Sequence, residues 1–313
     1  MTSADTPAVE AAPPGTPRPG GPAPLAGRTV SRVGYGAMQL HRLHDDRPAA
    51  VALLRHAIDL GVDHVDTAQF YGDGFVNDVI REALGPQDDV LVVSKVGATS
   101  DPDGPLPLRL AQRPEELRAE VEDNLATLRT ERIPVVNLRR VDSGVTAVPI
   151  PDDQVIDLDD QLAELIALRD EGKVGAIGLS SVSLDVLRRA LPSGIVCVQN
   201  AYSLVARDDE DILRLCVDEG IAWVPYFPLG GAFPGLPKVT DEPAVLAAAA
   251  RLGRTPAQIG LAWLLHHAPD GLLIPGTADR AHLEANLAAG AITLDEETLA
   301  ALDAIPTRSP AVP

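Results

Sequence analysis

Three residues between positions 66 and 95 have the types and spacing that proton transfer requires. Asp66 follows the short apolar run Val62–Val65, Tyr71 comes five residues later, and Lys95 ends the apolar run Val90–Ser94. An acid at a strand end and a phenol on the next loop can converge on one point. A tyrosine donates a proton near neutral pH only if its pKa of about 10 is lowered, which a neighbouring cation can do. We therefore expect Tyr71 to be a general acid, Lys95 to lower its pKa, and Asp66 to orient Lys95.

Apolar runs and amphipathic stretches alternate along the chain. The apolar runs predict eight strands, which are Val33–Gly36, Val62–Val65, Val90–Ser94, Ile133–Leu138, Val174–Leu179, Ile195–Val198, Ile221–Tyr226 and Leu272–Ile274. The other stretches predict helices, which are Pro48–Leu60, Gly74–Leu84, Pro114–Leu128, Leu158–Arg169, Leu184–Leu191, Asp209–Glu219, Pro243–Leu252, Pro256–His267, Asp279–Ala288 and Leu294–Ile305. Eight strands alternating with helices are typical of a (β/α)8 TIM barrel, whose active site lies at the carboxyl ends of the strands.

The alternative architecture for this α/β pattern is an open, doubly wound sheet. Such a sheet would carry a glycine-rich dinucleotide fingerprint after the first strand, and Gly34-Tyr35-Gly36 does not extend to one. The length of 313 residues suits one barrel, which we expect to be a single domain over residues 25–313. Residues 1–24 are rich in proline, alanine and glycine, so we expect them to form a disordered tail.

Composition and charge argue against several kinds of partner. Hydrophobic residues make up 45% of the chain and aromatic residues 3%, so we expect a core of mainly Leu, Val, Ile and Ala. The formal charge of −19 argues against nucleic acid and anionic membranes as partners. Cys197 and Cys216 suggest no disulfide framework, and neither a signal peptide nor an apolar span of about 20 residues is visible. We expect a cytoplasmic protein without a metal site that is a monomer or a weak dimer.

The order of these motifs is that of a known family. Asp66-Thr-Ala-x-x-Tyr71-Gly, followed by Val-Ser-Lys95, resembles the active-site signature of the aldo-keto reductases, and the similar spacing runs from about Val33 to Ile305. The resemblance implies that Tyr71 protonates the carbonyl oxygen of a small-molecule substrate while hydride from NADPH reaches its carbon. Without the resemblance, Asp66 and Lys95 could form a purely structural ion pair, with Tyr71 anchoring a loop.

One position at the end of the fourth predicted strand departs from the family pattern. Where the family usually has a histidine, this chain has Arg139. Arginine cannot shuttle protons, since its pKa lies above about 12, but it donates hydrogen bonds and keeps a permanent charge. We expect Arg139 to stabilise the developing alkoxide or to bind an anionic or phenolic group of the substrate. The alternative is that its side chain turns outward as a charge on the rim.

The resemblance also implies which residues bind the nicotinamide half of the cofactor. Ser180 and Gln199 would hold the carboxamide, although Ser181 replaces the asparagine that is usual after the serine. Tyr226 would stack on the nicotinamide ring, with ordinary packing at a strand end as the alternative. The other expected contacts at the strand ends are Gly36, Ala37, Met38, Asp66, Phe227, Leu229 and Gly231. The last two would place backbone N–H groups near the pyrophosphate.

The segment after the eighth predicted strand resembles the family's adenosine-phosphate motif. Thr277 and a helix N-terminus suit an anion, and Arg280 supplies charge for a 2′-phosphate. Asn286 is expected to contact the adenine. Gly276 stands where a lysine is often found, and His282 stands where many members carry arginine. The motif still predicts a preference for NADPH over NADH, with a solvated helix charge as the alternative for Arg280.

One branch of the family, the bacterial pyridoxal reductase-like members, is especially similar over the stretches 34–40, 136–139, 196–200 and 228–231. This similarity implies reduction of pyridoxal to pyridoxine. The phenolate of pyridoxal would suit Arg139. Two other interpretations stay open. One is a reductase of a specialised-metabolite ketone or imine, and the other is a non-catalytic NADP-binding module. Tyr71, Lys95 and Asp66 are all present, which argues against the non-catalytic module.

Overall fold

The computed structural model describes residues 18–101, 103–104, 108–142, 150–231 and 237–308. Their strands are β1 (Pro22–Leu25), β2 (Arg28–Ser31), β3 (Tyr35–Gly36), β4 (His64–Asp66), β5 (Leu91–Val96), β6 (Ala98–Ser100), β7 (Leu108–Leu110), β8 (Ile133–Arg139), β9 (Val174–Ser180), β10 (Ile195–Gln199) and β11 (Ala222–Trp223). Their helices are α1 (Arg47–Asp59), α2 (Phe75–Ala83), α3 (Pro114–Leu128), α4 (Leu158–Asp170), α5 (Leu184–Ala190), α6 (Glu210–Glu219), α7 (Pro243–Leu252), α8 (Pro256–His267), α9 (Arg280–Ala288) and α10 (Glu296–Asp303).

Seven parallel strands form one curled sheet in the order β3-β4-β5-β8-β9-β10-β11. The predicted eighth strand closes this sheet into a barrel. The Leu272 N–H donates to the Trp223 carbonyl at 2.8 Å, the Leu273 N–H donates to the Arg32 carbonyl at 2.7 Å, and the Gly34 N–H donates to the Leu273 carbonyl at 2.8 Å. The segment therefore joins the last strand to the first, and the predicted (β/α)8 barrel is confirmed. The eighth segment itself is a single bridge rather than a full strand.

Most predicted boundaries lie within two residues of the observed ones. The helices α3, α7 and α8 have the predicted bounds, because each begins with a proline that suits the first helical turn. The largest difference is the seventh strand, predicted over Ile221–Tyr226 but observed only at Ala222–Trp223. Pro225 lacks the N–H that a regular strand ladder requires, so the pairing beyond it is reduced to a single bridge between Tyr226 and Ala201.

Apolar side chains form two cores separated by the sheet. The larger one packs the outer face of the strands against the surrounding helices. The smaller one fills the lower half of the barrel, where alternate residues of the strands point inward. Its members include Leu91, Val93, Val135, Cys197, Val224 and Leu272.

The hairpin β1–β2 closes the lower end of the barrel and was not predicted. Ala23 and Leu25 are 4% and 2% exposed and join the inner core. The Arg18 Nε donates to a carboxylate oxygen of Asp63 at 3.2 Å, and the Ser31 N–H donates to the other at 2.7 Å. The expectation of disorder is therefore wrong for residues 18–24, because Arg18 is bonded to Asp63 and strand β1 buries Ala23. Residues 1–17 lie outside the described residues.

Cys197 and Cys216 are both free and buried. Burial raises the pKa of the Cys216 thiol to about 12, so it is an inert thiol at neutral pH. Among the described helices, none is both long enough and apolar enough to cross a membrane.

Candidate active site

The alternation of side chains along each strand determines which residues reach the mouth of the barrel. On β5, Leu91 and Val93 belong to the inner core, so Lys95 continues the same inward-facing row. Asp66 ends the neighbouring strand β4, and Arg139 ends β8 on the other side of β5. Because parallel strands end at the same edge, these three side chains lie together at the carboxyl end of the barrel.

Asp66 and Lys95 form a buried ion pair. The two residues are only 3% and 6% exposed, and the Lys95 Nζ donates to Asp66 Oδ1 and, at 3.1 Å, to the Thr67 carbonyl. The other carboxylate oxygen of Asp66 accepts a hydrogen bond from Gln199 Nε2 at 2.7 Å. Burial alone would lower the pKa of Lys95, but the charge of Asp66 raises it above its ordinary value. Lys95 is therefore a fixed positive charge at neutral pH.

Tyr71 lies beside this pair. Its ring centroid is 5.2 Å from the Lys95 Nζ, and the ring packs half-buried against the outer core. Burial raises the pKa of Tyr71, and the positive charge of Lys95 opposes that rise, as expected from the sequence. The net direction is nevertheless upward, because loss of water around the phenol outweighs the cation, and the expectation that Lys95 brings the pKa of Tyr71 below its ordinary value is wrong. The tyrosine thus keeps its proton at neutral pH and can still deliver it to an alkoxide, which is a far stronger base.

Buried polar side chains of helices α2 and α3 support this pair from behind. The Thr67 hydroxyl donates to Asn77 Oδ1 at 2.8 Å, and the Ser94 hydroxyl donates to Asn124 Oδ1 at 2.6 Å. The Asn77 side chain in turn donates to the same Asn124 oxygen at 3.0 Å. These bonds hold the residues next to the aspartate and the lysine, and so fix the strand ends from which both project.

Arg139 is half-buried at the end of β8. Its positive charge opposes the rise in pKa that burial causes in both Tyr71 and Tyr226, so the guanidinium lies near both phenols. Its Nη1 is buried and has no hydrogen-bond partner among the residues that the structure describes. A buried donor without a partner is costly, and a ligand oxygen would satisfy it. The arrangement favours the interpretation in which Arg139 contacts the substrate.

The predicted nicotinamide-binding residues come together at the ends of β9 and β10. Ser180 and Gln199 are paired in register, and both are almost fully buried. The Oε1 of Gln199 accepts no hydrogen bond from any described residue, which leaves it free to accept from a carboxamide. The departure at Ser181 has a local consequence, since its hydroxyl lies 3.0 Å from the Tyr226 hydroxyl. That contact ties the predicted stacking tyrosine to the end of β9.

The loop after β11 carries the residues predicted for the pyrophosphate. Phe227 packs edge-on against Tyr226 with ring centroids 5.0 Å apart, and Leu229 packs against the outer core. Sequence reasoning missed Lys238, whose stem lies over this loop. A Cβ built at Gly231 would be 2.4 Å from the Lys238 Cγ. Lys238 is exposed and makes no ion pair with any residue in the described ranges, so its charge is available to an anion.

Two glycines explain how the first strand and the eighth segment meet. A Cβ on Gly36 would lie 2.3 Å from the Ile274 carbonyl oxygen, and one on Gly276 would lie 2.5 Å from the Gly36 carbonyl oxygen. Gly276 therefore cannot become the lysine that the family often has without moving the backbone. Ala37 and Met38 begin a 3-10 helix directly after this contact and line the same end of the barrel.

The residues of the predicted adenosine-phosphate motif surround the start of α9. The Asp279 carboxylate accepts from the His282 N–H at 2.8 Å, and the Thr277 hydroxyl oxygen accepts from the Asp279 N–H at 3.0 Å. Arg280 and His282 are exposed, with Arg280 paired at 3.1 Å to the glutamate one turn further on. Thr277 and Asn286 are buried. The charged groups of the motif thus face solvent, where a phosphate could reach them.

A barrel with an aspartate, a charged lysine and a tyrosine at its strand ends suits an oxidoreductase. Residues 32–306 match the model of the Aldo/keto reductase family, and this chain belongs to that family. It is 42% identical over 289 residues to pyridoxine 4-dehydrogenase of Escherichia coli strain K12, covering 90% of this chain and 96% of the relative. It is 32% identical over 307 residues to probable aldo-keto reductase 1 of Glycine max, covering 87% and 84%.

Solved structures give the same family by shape. An aldo-keto reductase from Klebsiella pneumoniae in complex with NADPH is 27% identical and has a TM-score of 0.73. The match covers 91% of this chain and 95% of that chain. The family resemblance and the barrel predicted from the sequence are therefore both confirmed.

Proposed function

We propose that the protein reduces the carbonyl group of an aldehyde or ketone with NADPH. The observation that carries this proposal is the buried, charged Lys95, held by Asp66 next to the phenol of Tyr71. Asp66 keeps the lysine protonated, because its negative charge raises the pKa of Lys95 against the effect of burial. A proton donor beside a fixed cation is suited to the conversion of a carbonyl oxygen into a hydroxyl.

The residues present fit a nicotinamide cofactor. Gln199 has a buried acceptor that no described residue satisfies and that suits a carboxamide, and Arg280 at the start of α9 is exposed where a phosphate could reach it. Lys238 adds a positive charge beside the loop at Gly231. Bound NADPH would supply hydride to the carbonyl carbon. The NADPH complex of the Klebsiella pneumoniae relative supports the assignment of this cofactor.

The chain's own part in the reaction is proton transfer. Tyr71 donates its proton to the carbonyl oxygen as negative charge develops there. Lys95 stabilises the phenolate that remains, and Asp66 keeps Lys95 charged and oriented. The hydrogen bonds behind the strand ends limit the motion of this pair. The tyrosine is active only while protonated, so we expect turnover to fall when the pH rises above its raised pKa.

We propose pyridoxal, which would be reduced to pyridoxine, as a substrate. The name of the Escherichia coli relative supports this choice, and so does the chemistry of Arg139. Pyridoxal carries a phenolic oxygen next to its aldehyde, and the unpartnered Nη1 of Arg139 would bind an anionic oxygen in that position. A ketone or imine of specialised metabolism would use the same proton donor, but it would have no need of the arginine.

Turnover tests the proposal. The purified protein should oxidise NADPH in the presence of pyridoxal, and pyridoxine should be the product. A panel of neutral aldehydes and ketones of similar size, run beside it, separates the reaction from the choice of substrate. Binding of NADPH without oxidation against any carbonyl compound would instead favour the non-catalytic module.

We further propose a cytoplasmic location and a monomer or weak dimer in solution. The two buried free thiols support a reducing compartment. Sedimentation at several protein concentrations would test the oligomeric state.

A further inference from the structure

One buried glutamine connects two of the strand ends that carry the site. Gln112 lies between β7 and α3 and is 2% exposed. Its Nε2 donates to the Gly97 carbonyl at 2.6 Å and to the Arg139 carbonyl at 2.8 Å. Gly97 comes two residues after Lys95, directly beyond the end of β5. A single carboxamide therefore bridges the chain just past the lysine and the backbone of the arginine.

The Gln112 carboxamide joins the two backbones just beyond the last regular pair of strands β5 and β8. The last register pair of β5 and β8 is Val96 with Leu138. The next pair would be Gly97 with Arg139, but Gly97 has a φ of +106° and has left the strand conformation. The two backbones remain so close that a Cβ on Gly97 would lie 2.3 Å from the Arg139 carbonyl oxygen. Gln112 donates to both of these carbonyls, and the Gly97 carbonyl also accepts from the Ala111 N–H at 3.2 Å.

The other polar atoms of Gln112 are also satisfied. Gln161 of α4 donates to Gln112 Oε1 at 3.0 Å and to the Gln112 carbonyl at 2.7 Å. The Gln112 N–H donates to Gln154 Oε1 at 2.7 Å. Arg140, the residue after Arg139, donates its side chain to Gln161. The carboxamide is thus held in one orientation, and its two N–H groups have no rotational freedom.

We propose that Gln112 is a positioning residue, which acts on substrate by fixing the backbone from which Arg139 projects. This inference rests on the proposed carbonyl reductase function, because its kinetic effect requires turnover. Gln112 bonds the backbone carbonyl of Arg139 and not its guanidinium. Arg139 occupies the position where the family usually has a histidine, and a long side chain that must place one guanidinium nitrogen correctly depends strongly on the direction of its backbone.

A double-mutant cycle with an independent structural readout tests the proposal. Gln112→Met keeps the length of the side chain and removes both donors, and Arg139→Met removes the guanidinium. We expect Gln112→Met to lower kcat/KM for pyridoxal by roughly 10- to 100-fold, because a displacement of about 1 Å at a site can have an effect of that size. The affinity for NADPH, measured by fluorescence titration, should stay within about twofold. The double variant should be no worse than Arg139→Met alone.

The matched control is Gln154→Met, which removes another buried glutamine of the same network. Gln154 contacts Gln112 and Glu116 but neither strand end. Hydrogen exchange in the peptides around Gly97 and Arg140 should accelerate in Gln112→Met and not in Gln154→Met. This readout needs no turnover. If Gln112→Met does not fold, Gln112→Asn keeps the amide but is too short to reach both carbonyls, and it should show the same pattern.

Several outcomes would overturn the proposal. These are unchanged exchange and kinetics in Gln112→Met, losses that multiply in the double variant, or an equal loss in Gln154→Met. If the wild-type protein shows no turnover but Gln112→Met accelerates hydrogen exchange as expected, the proposed function is refuted and the bridge is not.

Discussion

Arg139 and Tyr71 both lie at the mouth of the barrel. Arg139 replaces the histidine that the family usually has there, and its chemistry differs from that of a histidine. A histidine gains and loses a proton near neutral pH, whereas the guanidinium stays charged. The Nη1 of Arg139 is buried, and no described residue accepts a hydrogen bond from it. The residue therefore suits binding of an anionic oxygen better than proton transfer.

Arg139→His tests this role. If the guanidinium binds the phenolate of pyridoxal, its loss removes a charged hydrogen bond of about 1.5–3 kcal/mol, or roughly 10- to 150-fold in KM. KM for a neutral aldehyde of similar size should change far less. A parallel fall in turnover of both substrates would instead show that Arg139 serves the developing alkoxide. No change with either substrate would mean that the side chain does not contact the site.

We expect Arg280 to determine the preference for NADPH over NADH. Arg280→Ala should weaken NADPH binding by about 1.5–3 kcal/mol and leave NADH binding nearly unchanged, because only NADPH carries the 2′-phosphate. Arg214→Ala is a matched control, since Arg214 is an exposed arginine with a carboxylate partner on its own helix, α6. Fluorescence titration with both cofactors gives the comparison. Equal affinity for both cofactors in the wild type would contradict the assignment.

At the residue scale, the sequence predicted side chains that project from strand ends. Asp66 and Lys95 were predictable because period-two alternation and parallel pairing decide where they point. Lys238 and Gln112 were not, because their contacts depend on how loops fold back over the barrel. The net direction of the Tyr71 pKa was also beyond sequence reasoning, since it depends on how much water the packing removes.

At the scale of elements, helix α3 supports the end of β5 through a buried carboxyl group. Glu120 is 5% exposed and accepts a hydrogen bond from the Gly97 N–H at 2.8 Å. Burial raises its pKa from 4.5 to about 8, against the opposing effect of that hydrogen bond. Between these two values the folded protein keeps a proton that the unfolded chain releases. The free energy of unfolding therefore decreases as the pH rises through this range, by about 1.4 kcal/mol per pH unit at most.

Glu120→Gln should remove this pH dependence. The amide oxygen can still accept from the Gly97 N–H, and the side chain no longer titrates. We expect the Tm of the variant to equal that of the wild type near pH 5 and to exceed it above pH 8. The control is Glu122→Gln, which changes an exposed glutamate of the same helix that is paired with Lys173 and should not raise Tm above pH 8. Parallel Tm profiles for wild type and Glu120→Gln would show that Glu120 is ionised throughout.

For the molecule as a whole, the barrel could be predicted from the sequence, and the hairpin at its lower end could not. The eight-fold alternation of apolar runs and helices predicted the barrel, because both periodicities are local. The hairpin at its lower end was missed, since its proline-rich sequence resembles a disordered tail. What stabilises it is long-range, namely the inner core and the bonds to Asp63.

Two truncations distinguish the hairpin from the segment before it. Deleting residues 1–17 should leave Tm and turnover unchanged. Deleting residues 1–24 should lower Tm, because it removes the bond between Arg18 and Asp63 and most of the strand that buries Ala23. Thermal unfolding of the two truncated proteins beside the full chain gives the comparison. Equal Tm values for all three would show that the hairpin adds nothing to stability.

The most direct test of the central claim is the turnover of Tyr71→Phe. Phenylalanine keeps the ring and its packing but has no proton to donate. We predict that kcat for pyridoxal with NADPH falls by about 10²- to 10⁴-fold, while the Kd for NADPH measured by fluorescence stays nearly unchanged. Turnover in Tyr71→Phe equal to that of the wild type would contradict the assignment of Tyr71 as the proton donor, and with it the proposed mechanism.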